Sequence, residues 1–316
     1  MVQEIIEGPG FVLQNTMDEI IDGLYVGSAM AEADKPKLDT CGITHILSIA
    51  SHYVPSNPTD FTYKLISIDD LPEENIIQYF PQTNRFIGHA LKEGGRVLVH
   101  CMAGQSRSAA AAAAYLMQAQ QLTSAQALAE LKERRPQIHP NEGFLEQLQL
   151  FHDIGYDVSS ASALYRRFLV RHNAERYREY GEMGAVVAGL DPAEQATLAS
   201  RLVRCKKCRR ALVTEANIID HEAGAGQVEF SYKKRNGGTN TPHAFAQNHA
   251  CSSLFVEPME WMDGVGDGLL ENKIMCPKCL AKLGAFNWTG AQCSCGKWIT
   301  PSFQIHRNKV DETRRR

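Results

Sequence analysis

The chain contains the stretch Val97-Leu-Val-His-Cys101-Met-Ala-Gly-Gln-Ser-Arg107-Ser108. Its start is apolar and rich in branched residues, which predicts a short buried strand. Six alanines follow Ser108 and predict a helix that begins at Arg107, because alanine is the strongest helix former and permits close packing. The loop between strand and helix then turns its backbone N–H groups inward at a helix N-terminus, which makes a pocket for a tetrahedral oxyanion.

Two residues of this loop suit the binding of phosphate. Gly104 supplies the backbone freedom that such a loop requires. Arg107, separated from Cys101 by five residues, can close the ring and bind two phosphate oxygens at once. We therefore predict a phosphate-binding loop that consists of Met102, Ala103, Gly104, Gln105, Ser106 and Arg107.

Cys101 is the predicted nucleophile, because the inward N–H dipoles, the helix N-terminus and Arg107 all favour its thiolate form. In-line attack on phosphorus would give a phosphocysteine, which water later hydrolyses. Ser108 is positioned to donate a hydrogen bond to the sulfur and to ease its departure in that second step. We expect His100 to orient the loop through hydrogen bonds rather than to act as a base.

The departing substrate oxygen needs a proton, so a carboxylic acid should come from a second loop. A predicted strand ends in Ile66-Ser-Ile-Asp69-Asp70, and strand ends of an open α/β sheet converge on its ligand-binding edge. One of the two aspartates is therefore expected to be the general acid. The alternative is that both simply begin a turn.

The surrounding sequence alternates short branched runs with helical periodicity. Four runs predict buried strands, at Leu24–Val26, Ile46–Ile49, Leu65–Ile68 and Val97–Val99. Helices are predicted at Pro81–Lys92, Arg107–Gln120, Ser124–Arg135 and Glu142–Ile154. This alternation predicts an α/β fold, with a mostly parallel sheet flanked by helices.

A His-Cys pair, five residues and then Arg-Ser after a strand resemble the signature of the protein tyrosine phosphatase superfamily. The spacing from Asp70 to Tyr79-Phe80 resembles its dual-specificity branch, as does the segment Gly23-Leu-Tyr-Val-Gly27. This resemblance implies a cysteine-dependent phosphatase fold with Asp70 as the general acid. Asn141, in Pro140-Asn-Glu-Gly-Phe144, is similar to a family residue near the catalytic loop, but we favour its interpretation as a helix cap.

Chain length, composition and the pattern of apolar runs indicate the domain organisation and the cellular compartment. With 316 residues, 44% of them hydrophobic, the chain is long enough for one large domain or two ordinary ones and can form a real core. Its start lacks the pattern of a signal peptide, and no apolar run reaches the roughly 18 residues of a membrane span, so we expect an intracellular protein with no membrane contact. We place a catalytic domain at 18–157, a partly helical connector at 158–200 and a zinc-binding domain at 201–310.

The cysteines indicate metal binding in the last of these domains. All but Cys41 and Cys101 of the nine cysteines follow position 200, mostly in close pairs, which is typical of metal ligands rather than of disulfides. Seven cysteines and one histidine complete two tetrahedral sites. The predicted ligands are Cys205, Cys208, His221, Cys251, Cys276, Cys279, Cys293 and Cys295, with His243 and His249 as competitors of His221.

Pairing in chain order would give the first four of these ligands to one ion and the last four to the other, although interleaved pairing stays open. Because all ligand positions are filled, both zinc ions are expected to be structural, and catalysis needs no cofactor. The same region carries six cations between Arg201 and Arg210, together with Trp261, Trp288 and Trp298. These residues are compatible with an RNA or ribosomal-protein surface, but such tryptophans more often form a small core.

The second half has its own resemblance. The segments Ser253-Leu-Phe-Val-Glu-Pro-Met-Glu-Trp261 and Gln292-Cys-Ser-Cys-Gly-Lys-Trp298 resemble the C-terminal zinc-binding domain of the dual-specificity phosphatase 12 family, and domain order and length also agree. The resemblance implies a small, mainly β zinc-stabilised domain and an enzyme of nucleus and cytoplasm. It also implies that the zinc domain acts in assembly of the large (60S) ribosomal subunit, with the pre-60S particle as partner, by promoting exchange of a stalk-region assembly factor.

Two hypotheses follow from these features. In the first, the chain is a dual-specificity phosphatase that hydrolyses phosphotyrosine and phosphoserine or phosphothreonine in phosphoprotein substrates. In the second, it is a ribosome-assembly adaptor that works mainly through the zinc domain, with dispensable phosphatase activity. A redox or rhodanese-type enzyme, which would transfer sulfur, is a third alternative.

Overall fold

The computed structural model describes residues 16–159, 162–192, 201–222, 224 and 251–314. The chain divides into two compact units, with the boundary between Val158 and Ser159. Among the described residues, no helix has the length and hydropathy that crossing a membrane requires.

The first unit is built on a five-stranded sheet. Its strands are β1 (Met17–Ile21), β2 (Leu24–Ser28), β3 (His45–Ile49), β4 (Thr62–Ile66) and β5 (Val97–Cys101). Their order across the sheet is β1-β2-β5-β3-β4, and all neighbours are parallel except β1 and β2. The prediction of a mostly parallel sheet is confirmed, and β5 occupies the central position that its uniformly buried residues require.

The described residues of this unit form six α-helices. They are α1 (Ala29–Ala33), α2 (Lys35–Thr40), α3 (Phe80–Lys92), α4 (Arg107–Gln120), α5 (Ser124–Arg134) and α6 (Glu142–Asp153). Helix α4 packs against α3, α5, α6 and β5 together, and its first eight residues are all buried. Only small side chains allow that many neighbours to approach, which explains the alanine run.

The prediction from the sequence misplaced the end of one strand and missed another strand. Strand β4 begins at Thr62 and ends at Ile66, whereas the apolar pattern predicted a strand that continued to Ile68. The reason is that β4 is an edge strand in which only Ile66 is buried, so its hydrophobic pattern is weak. Ile68 is buried beyond the end of the strand. The antiparallel strand β1, in Met17-Asp-Glu-Ile-Ile21, was not predicted.

The second unit consists of helix α7 (Ala163–Tyr180) and short strands. The strands are β6 (Arg201–Cys205), β7 (Ala211–Thr214), β8 (Ile218–Ile219), β9 (Ser253–Val256), β10 (Glu271–Met275), β11 (Lys282–Asn287), β12 (Ala291–Gln292), β13 (Trp298–Ile299), β14 (Ser302–His306) and β15 (Val310–Arg314). They form three antiparallel sheets, with the orders β10-β11-β14-β9-β8, β15-β6-β7 and β12-β13. This part of the chain is mainly β, as predicted.

Aromatic residues and a buried ion pair hold this unit together. Trp261 and Trp288 are buried in the core, whereas Trp298 is 59% exposed. Helix α7, which lies in the predicted connector, is attached through Arg166. Its Nε and Nη2 atoms donate to the two Glu257 carboxylate oxygens at 3.0 and 2.9 Å, and both side chains are almost fully buried. Asn217 donates a further hydrogen bond to the same carboxylate.

Replacing Arg166 with methionine leaves the Glu257 carboxylate buried without its cation. We expect the unfolding free energy of the second unit to fall by about 3–5 kcal/mol, the usual effect of removing one partner of a buried pair. Urea denaturation followed by tryptophan fluorescence measures this unit alone, because all tryptophans of the chain lie in it, at Trp261, Trp288 and Trp298.

A matched control is Arg171→Met, which removes one partner of the exposed Arg171–Glu175 pair on the same helix. Its expected effect is below about 1 kcal/mol. Equal losses in the two variants would show that the buried pair has no special importance for this unit.

Candidate active site and cysteine clusters

The phosphate loop begins where β5 ends. The Cys101 sulfur accepts a hydrogen bond from the Gly104 backbone N–H at 3.3 Å, and the Ser108 hydroxyl lies 3.2 Å from it. Gly104 has a φ of +69°, and a Cβ atom at this residue would lie 2.5 Å from the Gly27 carbonyl. The loop therefore requires glycine at this position both for its backbone conformation and for its close approach to β2.

Arg107, the first residue of α4, is almost fully buried beside the loop. Its Nη1 atom donates to the Ile68 carbonyl at 3.0 Å, and its Nε atom lies 3.4 Å from an Asp70 carboxylate oxygen. The guanidinium is thus held between the phosphate loop and the segment that follows β4. This position suits a group that binds phosphate oxygens from one side.

The structure brings one of the two adjacent aspartates to the loop. Asp70 accepts hydrogen bonds from the Ser106 hydroxyl at 2.6 Å and from the Asn141 amide at 2.9 Å. Asp69 instead accepts a hydrogen bond from the Ser51 hydroxyl. Of the two carboxylates, Asp70 is therefore the one with contacts to the phosphate loop.

Asn141 has more contacts than a helix cap needs. Its Oδ1 atom accepts from the Phe144 backbone N–H at 2.9 Å, so the predicted cap of α6 is confirmed. In addition, its Nδ2 atom donates to Asp70, and its backbone N–H donates to Ser106 at 3.2 Å. Sequence reasoning missed these contacts, although the segment Pro140–Phe144 was the signal that could have indicated them.

Gly143 permits the Asp70 segment to lie against α6. A Cβ atom at Gly143 would lie 1.9 Å from the Pro72 carbonyl oxygen, so no other residue fits without moving that backbone. The Asp70 segment is therefore positioned by α6 through two features, the Asn141 side chain and the absence of one at Gly143.

Arg135 is a further residue that the sequence did not reveal. It follows α5 and is almost fully buried, with Nε donating to the Gly104 carbonyl at 2.9 Å and Nη1 to Asp18 at 2.5 Å. It thus connects β1 to the phosphate loop. The side chain supplies a hydrogen-bond donor to a carbonyl of the loop and so helps to fix the loop.

The second unit contains two clusters of possible metal ligands. One consists of Cys205, Cys208, Cys276 and Cys279, and the other of His221, Cys251, Cys293 and Cys295, with the ligand atoms of each cluster within 4.8 Å of one another. Pairing in chain order is therefore wrong, and the interleaved alternative is found. The physical reason is that the first two cysteine pairs share one hydrophobic core, whereas Cys293 and Cys295 belong to another. His243 and His249 lie outside the described residues.

The geometry of both clusters fits zinc. In the first, sulfur–sulfur distances of 3.7 and 3.5 Å join Cys205 to Cys279 and Cys208 to Cys276. In the second, the His221 Nε2 atom lies 3.4 Å from the sulfurs of both Cys251 and Cys295. Tetrahedral zinc with sulfur at about 2.3 Å requires sulfur–sulfur separations of about 3.8 Å. Thiolate and imidazole are also the ligands that zinc prefers.

The two turns of the first cluster have the same backbone geometry. The residue after each pair, Arg209 or Leu280, has a positive φ, of 63° and 55° respectively. Their N–H groups donate to the carbonyls of Cys205 and Cys276 at 2.8 and 2.9 Å. Both turns are therefore shaped as knuckles, which hold two sulfurs on one side.

The sequence matches known proteins along nearly its whole length. A family model described as dual specificity phosphatase, catalytic domain, matches residues 24–154. Dual specificity protein phosphatase 12 from Homo sapiens is 39% identical over 306 residues, which cover 94% of this chain and 88% of the human protein. Tyrosine-protein phosphatase yvh1 from Schizosaccharomyces pombe is 33% identical over 309 residues, which cover 95% and 86%.

The chain belongs to the dual-specificity protein phosphatase 12 family. Its first unit is the catalytic unit of a protein phosphatase, and the geometry around Cys101 agrees with that assignment. The second unit, with its two cysteine clusters, is covered by the same matches.

In this phosphatase, His100 is buried beneath the loop. It lies 2.7 Å from the Ser48 hydroxyl through Nε2, and its ring packs edge-on against Tyr53. Burial lowers the pKa of His100 to about 4, so the imidazole is neutral at physiological pH. A neutral, hydrogen-bonded imidazole next to Cys101 fits the predicted orienting role.

Glu32 supports this layer from α1. Its buried carboxylate accepts hydrogen bonds from Tyr53 at 2.6 Å, from the Ser56 hydroxyl at 2.7 Å and from Tyr63. Burial alone would raise the pKa of Glu32, but the hydrogen bonds from Tyr53, Tyr63 and Ser56 outweigh it and hold the pKa below its usual value. Glu32 therefore stays charged and fixes the ring that packs on His100.

The buried His100 predicts a pH dependence of stability. In the unfolded chain the imidazole binds a proton near pH 6.5, whereas in the folded chain it does so only near pH 4. Between these values the unfolded chain binds more protons, so stability falls as the pH drops. We expect a loss of about 2 kcal/mol between pH 7 and pH 5 that His100→Gln abolishes. Hydrogen exchange of the β3 and β5 amides, corrected for intrinsic rates, measures it.

The control is His89→Gln, because the His89 side chain is 68% exposed. This variant should keep the pH dependence of the wild-type chain. The explanation would be wrong if His100→Gln kept it as well.

Proposed function

We propose that the first unit hydrolyses phosphotyrosine and phosphoserine or phosphothreonine residues of phosphoproteins through a phosphocysteine intermediate, with Cys101 as the nucleophile. The observation that carries this proposal is the position of the Cys101 sulfur, which receives the Gly104 N–H at 3.3 Å and lies 3.2 Å from the Ser108 hydroxyl. Hydrogen-bond donors around a sulfur favour the thiolate, which is the nucleophilic form.

In the first step, the thiolate forms a bond to phosphorus as the bond from phosphorus to the substrate oxygen breaks. Asp70, in its protonated form, gives its proton to that oxygen, and Arg107 binds the phosphate oxygens. In the second step, water attacks phosphorus, Asp70 takes a proton from it, and the sulfur departs as a thiolate that the Ser108 hydroxyl stabilises. Phosphate is released, and no cofactor takes part.

The remaining residues of the site have positioning roles. Asn141 and Ser106 direct the Asp70 carboxyl, because each donates a hydrogen bond to it. Arg135 holds the loop through the Gly104 carbonyl, and His100, fixed by Ser48, holds the end of β5 next to Cys101. The N–H groups of the loop would then keep their direction without phosphate. The loop from Met102 to Arg107 is the proposed phosphate-binding site.

Cys101→Ser should abolish turnover, and Asp70→Asn should lower kcat by about 10²–10⁴-fold with phenyl phosphate as the substrate. The loss should be much smaller with p-nitrophenyl phosphate, because p-nitrophenolate is stable enough to leave without a proton. Steady-state kinetics with the two substrates measures the difference.

Asp69→Asn is the matched control and should retain near-wild-type rates, since Asp69 pairs with Ser51 instead. If Asp70→Asn slowed both substrates equally, Asp70 would not be the proton donor. If Asp69→Asn showed the dependence on the leaving group, the assignment would pass to Asp69.

We further propose that each cysteine cluster binds one structural zinc ion, so that the chain carries two. All four tetrahedral positions of each ion would be filled by the residues of that cluster, which leaves no position for substrate. The support is the donor chemistry, the separations of 3.4 to 3.7 Å and the preformed knuckle turns.

For the biological role, we propose that the second unit binds the pre-60S ribosomal particle and acts in maturation of the large subunit, in nucleus and cytoplasm. The support is the family membership over nearly the whole chain, which includes the zinc-binding half. The second candidate is an adaptor whose phosphatase activity is dispensable, and it is favoured by the separation of the chain into two compact units.

Substitutions in the clusters test the metal sites and the adaptor role together. Cys205 and Cys276 belong to the same cluster, so Cys205→Ser and Cys276→Ser should each remove the same zinc ion. The double variant should therefore retain one ion. Cys276→Ser combined with Cys293→Ser should lose both, because these cysteines belong to different clusters. Elemental analysis of the purified chain gives the zinc content, and sedimentation profiles of cells that carry each variant give the amount of 60S subunits.

Cys101→Ser is the matched control for the cell experiment, since it lies in the other unit. The adaptor hypothesis expects 60S loss in the cluster variants and normal profiles in Cys101→Ser. A 60S loss in Cys101→Ser would instead make catalysis necessary. Wild-type profiles in all variants would contradict a role in subunit maturation.

A further inference from the structure

A cavity of about 410 Å³ opens in the second unit beside the first cysteine cluster. It lies between the Cys205 knuckle, the start of β11 and the turn before β15. Its polar lining consists of Lys206, Lys207, Lys282, Asn308 and Lys309, while Cys205 and Leu283 form the buried part of its wall. Four lysines from three distant parts of the chain thus line one cavity.

These lysines differ from the arginines of the same basic run. Arg201 pairs with Glu312, Arg209 with Asp311 and Arg210 with Asp191, so three of the four arginines in this run have a carboxylate partner within the unit. The fourth, Arg204, donates a hydrogen bond to the Arg209 carbonyl.

None of the four lysines has a carboxylate within ion-pair distance among the residues that the structure describes. A zinc-loaded cluster of four thiolates would add about two negative charges at one wall, which leaves the four-lysine rim with a positive excess.

The backbone beneath the lysines is fixed. The Lys206 N–H donates to the Lys309 carbonyl at 3.0 Å, which joins the knuckle to the turn before β15. The knuckle is closed by the Arg209 N–H on the Cys205 carbonyl at 2.8 Å, and β11 is paired on both sides. The bases of the side chains are therefore held at set positions, and a bound polyanion needs to order only their ends.

We propose that this cavity binds the sugar-phosphate backbone of structured RNA. Lysine ammonium groups are compact charges that suit phosphate, whereas carboxylates of an acidic protein are matched best by arginine forks, and three of the four arginines of this run are already paired with carboxylates. The lining contains no aromatic side chain, so bases do not stack in it and the binding is independent of sequence. The inference rests on the proposed ribosomal role, for which it names the contact.

Fluorescence anisotropy of the zinc-loaded full chain with an RNA hairpin of arbitrary sequence tests this site. With about four phosphate contacts, the logarithm of the binding constant should fall with the logarithm of salt concentration with a slope of about −3 to −4. Lys206→Gln combined with Lys282→Gln should make this slope about 2 units shallower and weaken binding by at least about tenfold near 0.1 M salt.

The matched control is Lys273→Gln combined with Lys297→Gln, which removes two exposed lysines of the same unit outside the cavity. It should bind RNA like the wild-type chain. Zinc content and turnover of p-nitrophenyl phosphate should stay unchanged in both variants, which shows that they fold. Equal RNA affinity of the two variants would overturn the inference, and so would competition by poly-glutamate that is stronger than that of unlabelled RNA.

Cosedimentation with pre-60S particles separates this inference from the ribosomal role. If the chain cosediments while the cavity variant keeps full RNA affinity, the RNA site is wrong and the ribosomal role stands. If the cavity variant alone loses RNA binding but the wild-type chain does not cosediment, the RNA site stands and the ribosomal role is wrong.

Discussion

The loop after β5 must turn its backbone N–H groups toward one sulfur atom within a few residues, and the first unit is built around that requirement. Gly104 meets this requirement in two ways. It adopts a positive φ, and because it has no Cβ atom its backbone can lie close to the Gly27 carbonyl. The strand that delivers Cys101 is central in the sheet, and α4 starts as soon as the loop ends. Because the alanines of α4 take little space, three helices and the sheet pack around it and hold its first turn in place.

The proposed proton donor, Asp70, reaches this loop through contacts that are distant in sequence. Asp70 follows β4 at the sheet edge, yet it is fixed by Asn141 at the start of α6 and by Ser106 in the loop itself. Arg135 adds a link, through Gly104, to β1. The proposed nucleophile and the proposed proton donor therefore share one polar network. In the proposed mechanism, the chemistry of each depends on three separate elements that keep their relative positions.

The difference between local contacts and contacts distant in sequence explains what the sequence could and could not predict. The strand, loop and helix around Cys101 are local, since each follows from residues next to it, and the predicted start of α4 at Arg107 is confirmed. Arg135 carries no such signal, because its importance comes from a carbonyl that only the folded loop brings near it. The members of the two clusters in the second unit were predicted from the cysteine spacing, with His221 as the added histidine, but their grouping was not. Which pairs meet depends on which turns share a core, and that information is spread over the whole sheet.

The interleaved pairing has a consequence for the stability of the second unit. Cys205 meets Cys279 and His221 meets Cys295, and in both cases the partners are 74 residues apart. Pairing in chain order would have closed shorter loops, and a longer loop loses more entropy when a cross-link closes it. The two loops also overlap, since His221 lies between Cys205 and Cys279. An ion in either cluster would therefore restrict the chain that must also reach the other. With the two proposed zinc ions, metal binding at the clusters and folding of the sheets between them would form one coupled equilibrium.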